Sequence, residues 1–400
     1  MYLYDDGVAR RFAPFALTRP GGELRAGALL VRERWERALG MRAAGFVSSA
    51  HLAGFDEPGA PPTAPAVLPP GSVLANTRFV PTLTAAAGTD DDETSAWIAD
   101  GVRAAVRLVE PVSVEALAAG EALDALRRTA GPEQALDGWW HTAAWDYIGQ
   151  LQTQLASDLP VLAAELDTVE HAGVVLGAGG THGMYVERGA TVEPFTVFDV
   201  SAGSVVLRRG ATVQAFTRVV GPCYVGEGSA VTADRVSGCS IGDHCRVHGE
   251  MSASVLVGHA NKAHDGFVGH SYLGRWVNLG AGTTTSNLKN TYGTVSLWTP
   301  QGVRDSGLQF LGTLFGDHAK TGIGLTLTTG TVVGAGANVY DRMPPKHVPP
   351  FAWGGGAPYD TYDAERFVRV AERAMARRAR PLTPAMRELL ARAHARRAEG

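Results

Sequence analysis

The sequence predicts an α/β N-terminal domain, then a parallel β-helix, then a helical C-terminal cap, and three observations carry that prediction. Leu207, Val213, Val219, Val225 and Val231 fall six residues apart, and Ala211, Thr217, Cys223 and Ser229, four beyond the first four of them, are all small. The register returns at Val186 and Val192, at Ile241 and Val247, at Phe267, Leu273 and Leu279, and at Leu327, Val333 and Val339, with insertions between the runs. Residues 1–165 lack this rhythm and alternate short apolar runs with helical patterns, as layered α/β domains do.

In chain order, residues 1–4 and 43–48 read as strands and 29–39 as a helix. The proline-rich segment 58–70 and the acidic segment 89–94 read as solvated loops. A helix over 145–166, broken at Pro160, leads to the first coil near Val174. From 166 to 345 the period implies stacked coils. A strand residue rises ~3.3 Å, so each six-residue unit spans one flat side of a three-sided prism. The aliphatic side chain then fills the interior and the small one fits the corner. Pro344-Pro345 and Pro349-Pro350 stop the prism, and within 346–400 two amphipathic helices, 364–378 and 384–397, are expected to cover an open sheet edge.

Composition narrows the function classes. With 45% hydrophobic and 19% charged residues, the 400-residue chain is an ordinary globular protein. A formal charge of −4 gives no reason to expect nucleic acid or a membrane surface as partner. The three cysteines, Cys223, Cys239 and Cys245, form no C-x-x-C pair and read as small buried residues in a reducing compartment. The first residues lack a basic start and a long apolar run, and no stretch reaches ~20 apolar residues. A cytoplasmic protein is expected.

The stretch Asn278-Leu279-Gly280-Ala281-Gly282-Thr283 sits inside the rhythm, with His264-Asp265-Gly266-Phe267-Val268-Gly269 and Tyr272-Leu273-Gly274 just before it. This segment resembles the acetyltransferase half of the bifunctional sugar-nucleotide enzymes that join a nucleotidyltransferase to a β-helical acetyltransferase. Leu17-Thr18-Arg19-Pro20, Glu23-Leu24-Arg25, Glu33-Arg34-Trp35 and Asn261-Lys262-Ala263-His264 resemble a divergent bacterial branch of that family. The resemblance implies a left-handed coil, a nucleotidyltransferase-like fold for residues 1–165, a homotrimer, and synthesis of UDP-N-acetylglucosamine or a related nucleotide sugar. It implies acetyl-CoA as acyl donor, a nucleoside triphosphate with Mg2+ for the N-terminal half, and a sugar phosphate as acceptor.

His264 is the candidate base, because acyl transfer to an amine needs a group of near-neutral pKa to take the proton. The alternative is a histidine hydrogen-bonded in a protruding loop. Asn278, Asn287, Lys262, Lys289 and Tyr272 are the candidate substrate ligands around it. Asn278 could equally form an amide ladder between coils, and Asn287 and Lys289 could belong to a solvated loop. Where the family carries a basic phosphosugar ligand after a Glu-Met pair, this chain has Glu250-Met251-Ser252, which leaves the acceptor open.

The N-terminal half departs further. Standard nucleotidyltransferases open with a glycine-rich loop whose amides cradle phosphates. Here the first strand ends at Asp5-Asp6-Gly7, and Gly21 stands where a lysine is expected. Arg19 and Arg25 would then supply charge to a phosphate, with Asn76 in a substrate loop; both arginines could instead bridge carboxylates. Asp5, Asp6 and Asp146 are conceivable magnesium ligands without diagnostic spacing. Two rival readings stay open. One is a non-catalytic nucleotide-sugar-binding or scaffold protein with one or both sites degenerate. The other, a β-helical zinc carbonic anhydrase using His259 and His264, lacks a third ligand at a supporting distance.

Overall fold

The computed structural model describes residues 1–84, 94–178 and 180–399. The acidic segment 89–94, apart from its last residue, lies outside them.

The N-terminal domain is built on strands β1 (Tyr2–Tyr4), β2 (Gly45–Val47), β3 (Val73–Asn76), β4 (Ala96–Ala99), β5 (Val102–Arg107) and β6 (Glu133–Ala135). They form one sheet in the order β6-β4-β5-β3-β1-β2. The pairs of β1 with β2 and with β3 are parallel, and β5 runs antiparallel to both of its neighbours. Helix α1 (Val31–Leu39) ends at Gly40, whose φ of 63° closes the last turn in the left-handed region that glycine adopts without strain. Its Trp35 is wholly buried against Phe79. The expected break at Pro160 does not occur: α2 (Leu151–Ala164) passes through it and buries Leu155, Leu159 and Leu162.

Beyond α2 the chain winds into a left-handed parallel β-helix with three faces. The first is six-stranded, from Val174–Leu176 to Phe267–Gly269; the second is nine-stranded, from Met184–Val186 to His347–Val348. The third begins as five strands, Thr191–Val192 to Asn261–Lys262, and continues through bridges at Asn278 into Lys320–Thr321 and Asn338–Val339. On the second face Val186, Leu207, Val225, Ile241, Leu256, Leu273, Phe315, Val333 and Val348 stack in register and are all buried. The small residues Ala211, Thr217, Cys223 and Ser229 are buried too, and all three cysteines are free thiols in the interior.

Three sequence expectations are corrected. Val268, not Phe267, continues the inner column of the first face: it follows the inward Lys262 by the regular six residues, and the next corner, from Val268 to the inward Leu273, takes five, so counting back six from Leu273 lands one residue early. The prism runs past Pro344-Pro345 to a strand at Ala352–Gly354, whose edge is paired by the antiparallel strand Asp360–Thr361. The sheet edge that helices α3 (Ala364–Ala376) and α4 (Pro384–Ala395) were expected to cover is thus paired by a strand, while both helices pack on Phe351 at the corner of the final coil, through Phe367 and His394. α3 packs Phe367 on Phe351 and lies along the third face, and α4 returns to the N-terminal domain, where the Arg392 guanidinium donates to the carbonyls of His51 and Ala53.

Candidate functional site

At the carboxyl ends of β1 and β2 a cavity of about 480 Å³ is lined by Arg10, Val47, Ser48, Ser49, Glu115 and Arg396. It lies beside β1, where the strand order turns back, the usual ligand position of an open α/β sheet. The residues expected to serve this site are engaged elsewhere. Arg19 is buried; its guanidinium grips both oxygens of Glu57 at 2.7 and 2.8 Å and reaches Asp317 of the prism at 3.1 Å. Glu57 also meets Arg275 at 3.2 Å; against the upward push of burial, Arg19 and Arg275 hold its carboxyl down at about 2.

Arg25 is likewise interior. Its amide donates to the Tyr272 hydroxyl at 2.8 Å, that hydroxyl donates back to the Arg25 carbonyl at 3.1 Å, and its guanidinium donates to Ala28 and lies over the Tyr224 ring. Arg19, Arg25 and Tyr272 thus join the two halves of the protein and are not placed to hold a phosphate or a sugar. Asn76, also buried, donates to Asp6 at 3.0 Å and accepts from the Arg78 amide at 2.9 Å, which makes it a support of the strand end rather than a ligand.

In the prism, His264 projects into solvent from the bend at residues 263–266. Among the described residues its ring makes no hydrogen bond. The bend is held from below by Lys262, which occupies an inward position directly over Val247 in the third-face ladder and is 1% exposed. Its ammonium donates to the carbonyls of His248 (2.8 Å) and His264, and burial draws its pKa down to about 8. Lys262 is therefore a support for the His264 loop, not a substrate ligand. Gly266 closes the bend at φ 115°, where a Cβ would stand 2.2 Å from the Thr283 carbonyl oxygen. That close backbone approach, with the Gly282 amide donating to the Asp265 carbonyl at 3.0 Å, seats the His264 loop against the Gly280-Ala281-Gly282-Thr283 coil.

Asn278 accepts from the Asn261 side chain at 3.1 Å, so the amide ladder is real, and it also lines an open groove beneath α3. Asn287 is tied to His270 Nδ1 at 2.8 Å, while Lys289 donates to the Thr294 carbonyl at the root of a hairpin, Ser296–Thr299 with Gly302–Asp305. His259 is not paired with His264; its ring lies tilted against Trp276 at 4.2 Å and against His244 at 4.9 Å. Among the described residues no three His, Cys, Asp or Glu side chains gather as a metal site.

Residues 1–166 match the family model described as sugar nucleotidyl transferase. That match takes in the whole N-terminal domain and none of the coils beyond it. Two curated relatives are similar over shorter stretches. The bifunctional sugar-1-phosphate nucleotidylyltransferase/acetyltransferase of Sulfurisphaera tokodaii is 34% identical over 91 residues, 23% of this chain and 23% of that protein. The bifunctional protein GlmU of Jannaschia sp. is 31% identical over 107 residues, 26% of this chain and 23% of that protein. The match thus spans about a quarter of the length of each relative.

In the N-terminal domain the carboxylates suggested for magnesium do not fit one. Asp5 is buried, which pushes its pKa up, and accepts from the Gly21 amide, Thr77 Oγ1 and Ser48 Oγ. Asp6 faces the Arg78 guanidinium at 2.7 Å and accepts from the amides of Val8 and Ala9. Asp146 accepts from the amide and hydroxyl of Thr142 and the amide of Ala143. One cation that sequence reasoning passed over is available there: Arg11, exposed, lines an adjoining cavity, while Arg10 lines the crevice but donates its guanidinium to the carbonyls of Asp5 at 2.8 Å, Leu117 at 2.9 Å and Ala118. The signal for it was the Arg10-Arg11 pair that follows Asp5-Asp6-Gly7 after Val8 and Ala9, in the place of the missing glycine loop.

Among the described residues no helix is long and apolar enough to cross a membrane.

Proposed function

We propose that the chain is a two-site transferase that joins nucleotidyl transfer onto a sugar 1-phosphate to acyl transfer from acetyl-CoA onto an amino-sugar phosphate, giving a UDP-N-acetylglucosamine-like product. The observation that carries the acyl-transfer half is the support of His264: an exposed imidazole on a bend held by the Lys262 ammonium and pressed against the glycine-rich coil through Gly266. A free imidazole on a fixed bend suits a general base.

The amine nitrogen attacks the thioester carbonyl carbon while His264 takes its proton. Backbone N–H groups of the glycine-rich coil stabilise the oxyanion, and collapse of the tetrahedral intermediate expels the thiolate, which is protonated to the free thiol. The products are an amide and coenzyme A. The N-terminal half would seat a nucleoside triphosphate at the carboxyl ends of β1 and β2 with the exposed Arg11 near its phosphates. Such chemistry ordinarily uses a divalent cation, but the carboxylates above do not fit one, and no step is assigned to it. A homotrimer in the cytoplasm accords with this reading.

The test is to incubate the full chain with acetyl-CoA, UTP, magnesium and a panel of sugar phosphates that includes glucosamine 1-phosphate, following free thiol and pyrophosphate separately. Both signals are expected with an amino-sugar phosphate. Thiol without pyrophosphate for any sugar phosphate and any nucleoside triphosphate would assign the N-terminal domain to the degenerate, binding-only reading. Neither signal would overturn the proposal.

A further inference from the structure

The outer column of the third prism face changes character along its length. It begins Thr191, Thr212 and Ala230 and then runs Arg246, Asn261, Asn278, Lys320 and Asn338, each paired in register with the next. Helix α3 lies over its polar end and brings Arg373, Arg377 and Arg378 to face Asn261, Asn278 and Lys320 across a groove of about 390 Å³. Among the described residues no carboxylate lines the groove and none of these four cations is in an ion pair. Arg378 donates to Asn261 Oδ1 at 2.6 Å, and the closest acceptor to the Lys320 ammonium is the His318 carbonyl at 3.5 Å.

Burial keeps the wall histidine His259 neutral to a pKa of about 3, so the groove's charge comes from lysine and arginine. Lys320 is itself drawn down to about 8 by burial. A cation at the last turn of a helix complements the helix dipole, which accounts for Arg373. It does not account for Lys320, or for four positive groups converging on one space with no anion among them. Like charges held this way repel, and an anion seated between them removes that cost. Forked guanidinium donors match phosphate oxygens.

We infer that this groove binds the phosphate group of a phosphorylated ligand, with Lys320, Arg373, Arg377 and Arg378 as its cationic contacts and the Asn278 amide beside them. Asn261 precedes His264 by three residues, which places the groove within about 10 Å of the His264 backbone along the chain. A phosphate held here would leave the rest of a small ligand within reach of the imidazole. The ligand's role as a substrate rests on the proposed acyl transfer; the phosphate site itself does not. Two sources share the chemistry: the sugar phosphate, and the phosphate-bearing nucleotide end of the acyl donor.

Isothermal titration of the full chain with coenzyme A, glucosamine 1-phosphate and, as unphosphorylated controls, pantetheine and glucosamine separates them. Wild type is expected to bind one phosphorylated ligand and neither control, with affinity falling as salt rises. The R373Q/R377Q variant, which changes two exposed side chains, is expected to bind at least tenfold more weakly, and K320Q to weaken the same ligand. Tight coenzyme A binding names the donor, and tight glucosamine 1-phosphate binding names the acceptor. No binding of either by wild type, or undiminished binding by R373Q/R377Q, overturns the inference. H264A should retain binding in full; if its thiol release were also unchanged, the acyl-transfer reading would fall while the phosphate site stood.

Discussion

Lys262 sits in a column of the third face whose other members include Val213, Val231 and Val247, and the aliphatic rhythm alone gives no reason for a cation there. Its two carbonyl partners supply the reason: the ammonium fastens the bend that carries His264. The arrangement has a pH signature. Burial lowers the Lys262 pKa from 10.5 to about 8, so between those values the unfolded chain holds a proton that the folded chain has released. Folding is therefore penalised at this residue below about pH 8, and the penalty fades as pH rises towards 10.5. Urea unfolding of wild type and K262M at a series of pH values should show the stability of K262M relative to wild type falling across that window; a pH-independent difference would contradict the assignment. At the same scale, Arg19, Arg25, Tyr272 and Asn76 show the limit of reading a sequence. Their chemistry suited phosphate and sugar, but Arg19 meets Asp317 and Tyr272 meets Arg25 across 298 and 247 residues, and no local pattern reports such partners. Tyr272→Phe should cost about 1–2 kcal/mol in urea unfolding through the two lost hydrogen bonds.

Among the elements, the coils were the most legible, because a strand of fixed rise wound on a three-sided prism must repeat its inward side chain, and Leu207, Val225 and Ile241 obey that repeat. The rhythm failed where a corner of the prism is one residue short. From Lys262 to Val268 the six-residue step holds, but the corner from Val268 to Leu273 takes five, and a strict period count cannot sense a shortened corner. The bend at residues 263–266 holds the candidate base, and Gly266 closes it. Gly266→Ala tests it. The added methyl would meet the Thr283 carbonyl at 2.2 Å in a backbone region that side chains rarely adopt, so the bend must shift. Thiol release is expected to fall at least tenfold with pyrophosphate release unchanged; equal thiol release would show that the bend's position is immaterial. The helical segments of the C-terminus were legible as helices, but not their place. Amphipathic spacing says that a helix buries one face, and only the structure shows that α3 lies on the third face and α4 on the N-terminal domain.

Across the whole molecule the two halves share one apolar cluster, which holds Leu3, Trp35 and Leu155 together with Val206, Tyr224, Val255 and Tyr272 of the prism. The buried set of Arg19, Glu57, Arg275 and Asp317 lies across the same junction. We therefore expect urea unfolding of wild type to proceed as a single transition, with Arg19→Met costing about 3–5 kcal/mol because it strands buried carboxylates. Two well-separated wild-type transitions would show that the junction does not couple the halves. The central claim is that the prism delivers His264 to an acyl-transfer groove. The most direct measurement is thiol release from acetyl-CoA, with an amino-sugar phosphate acceptor, by wild type and His264→Ala, compared at equal unfolding midpoint. A fall of about 10²–10⁴-fold, the usual worth of a positioned general base, with pyrophosphate release intact is the predicted result. Thiol release that survives the substitution unchanged would contradict it.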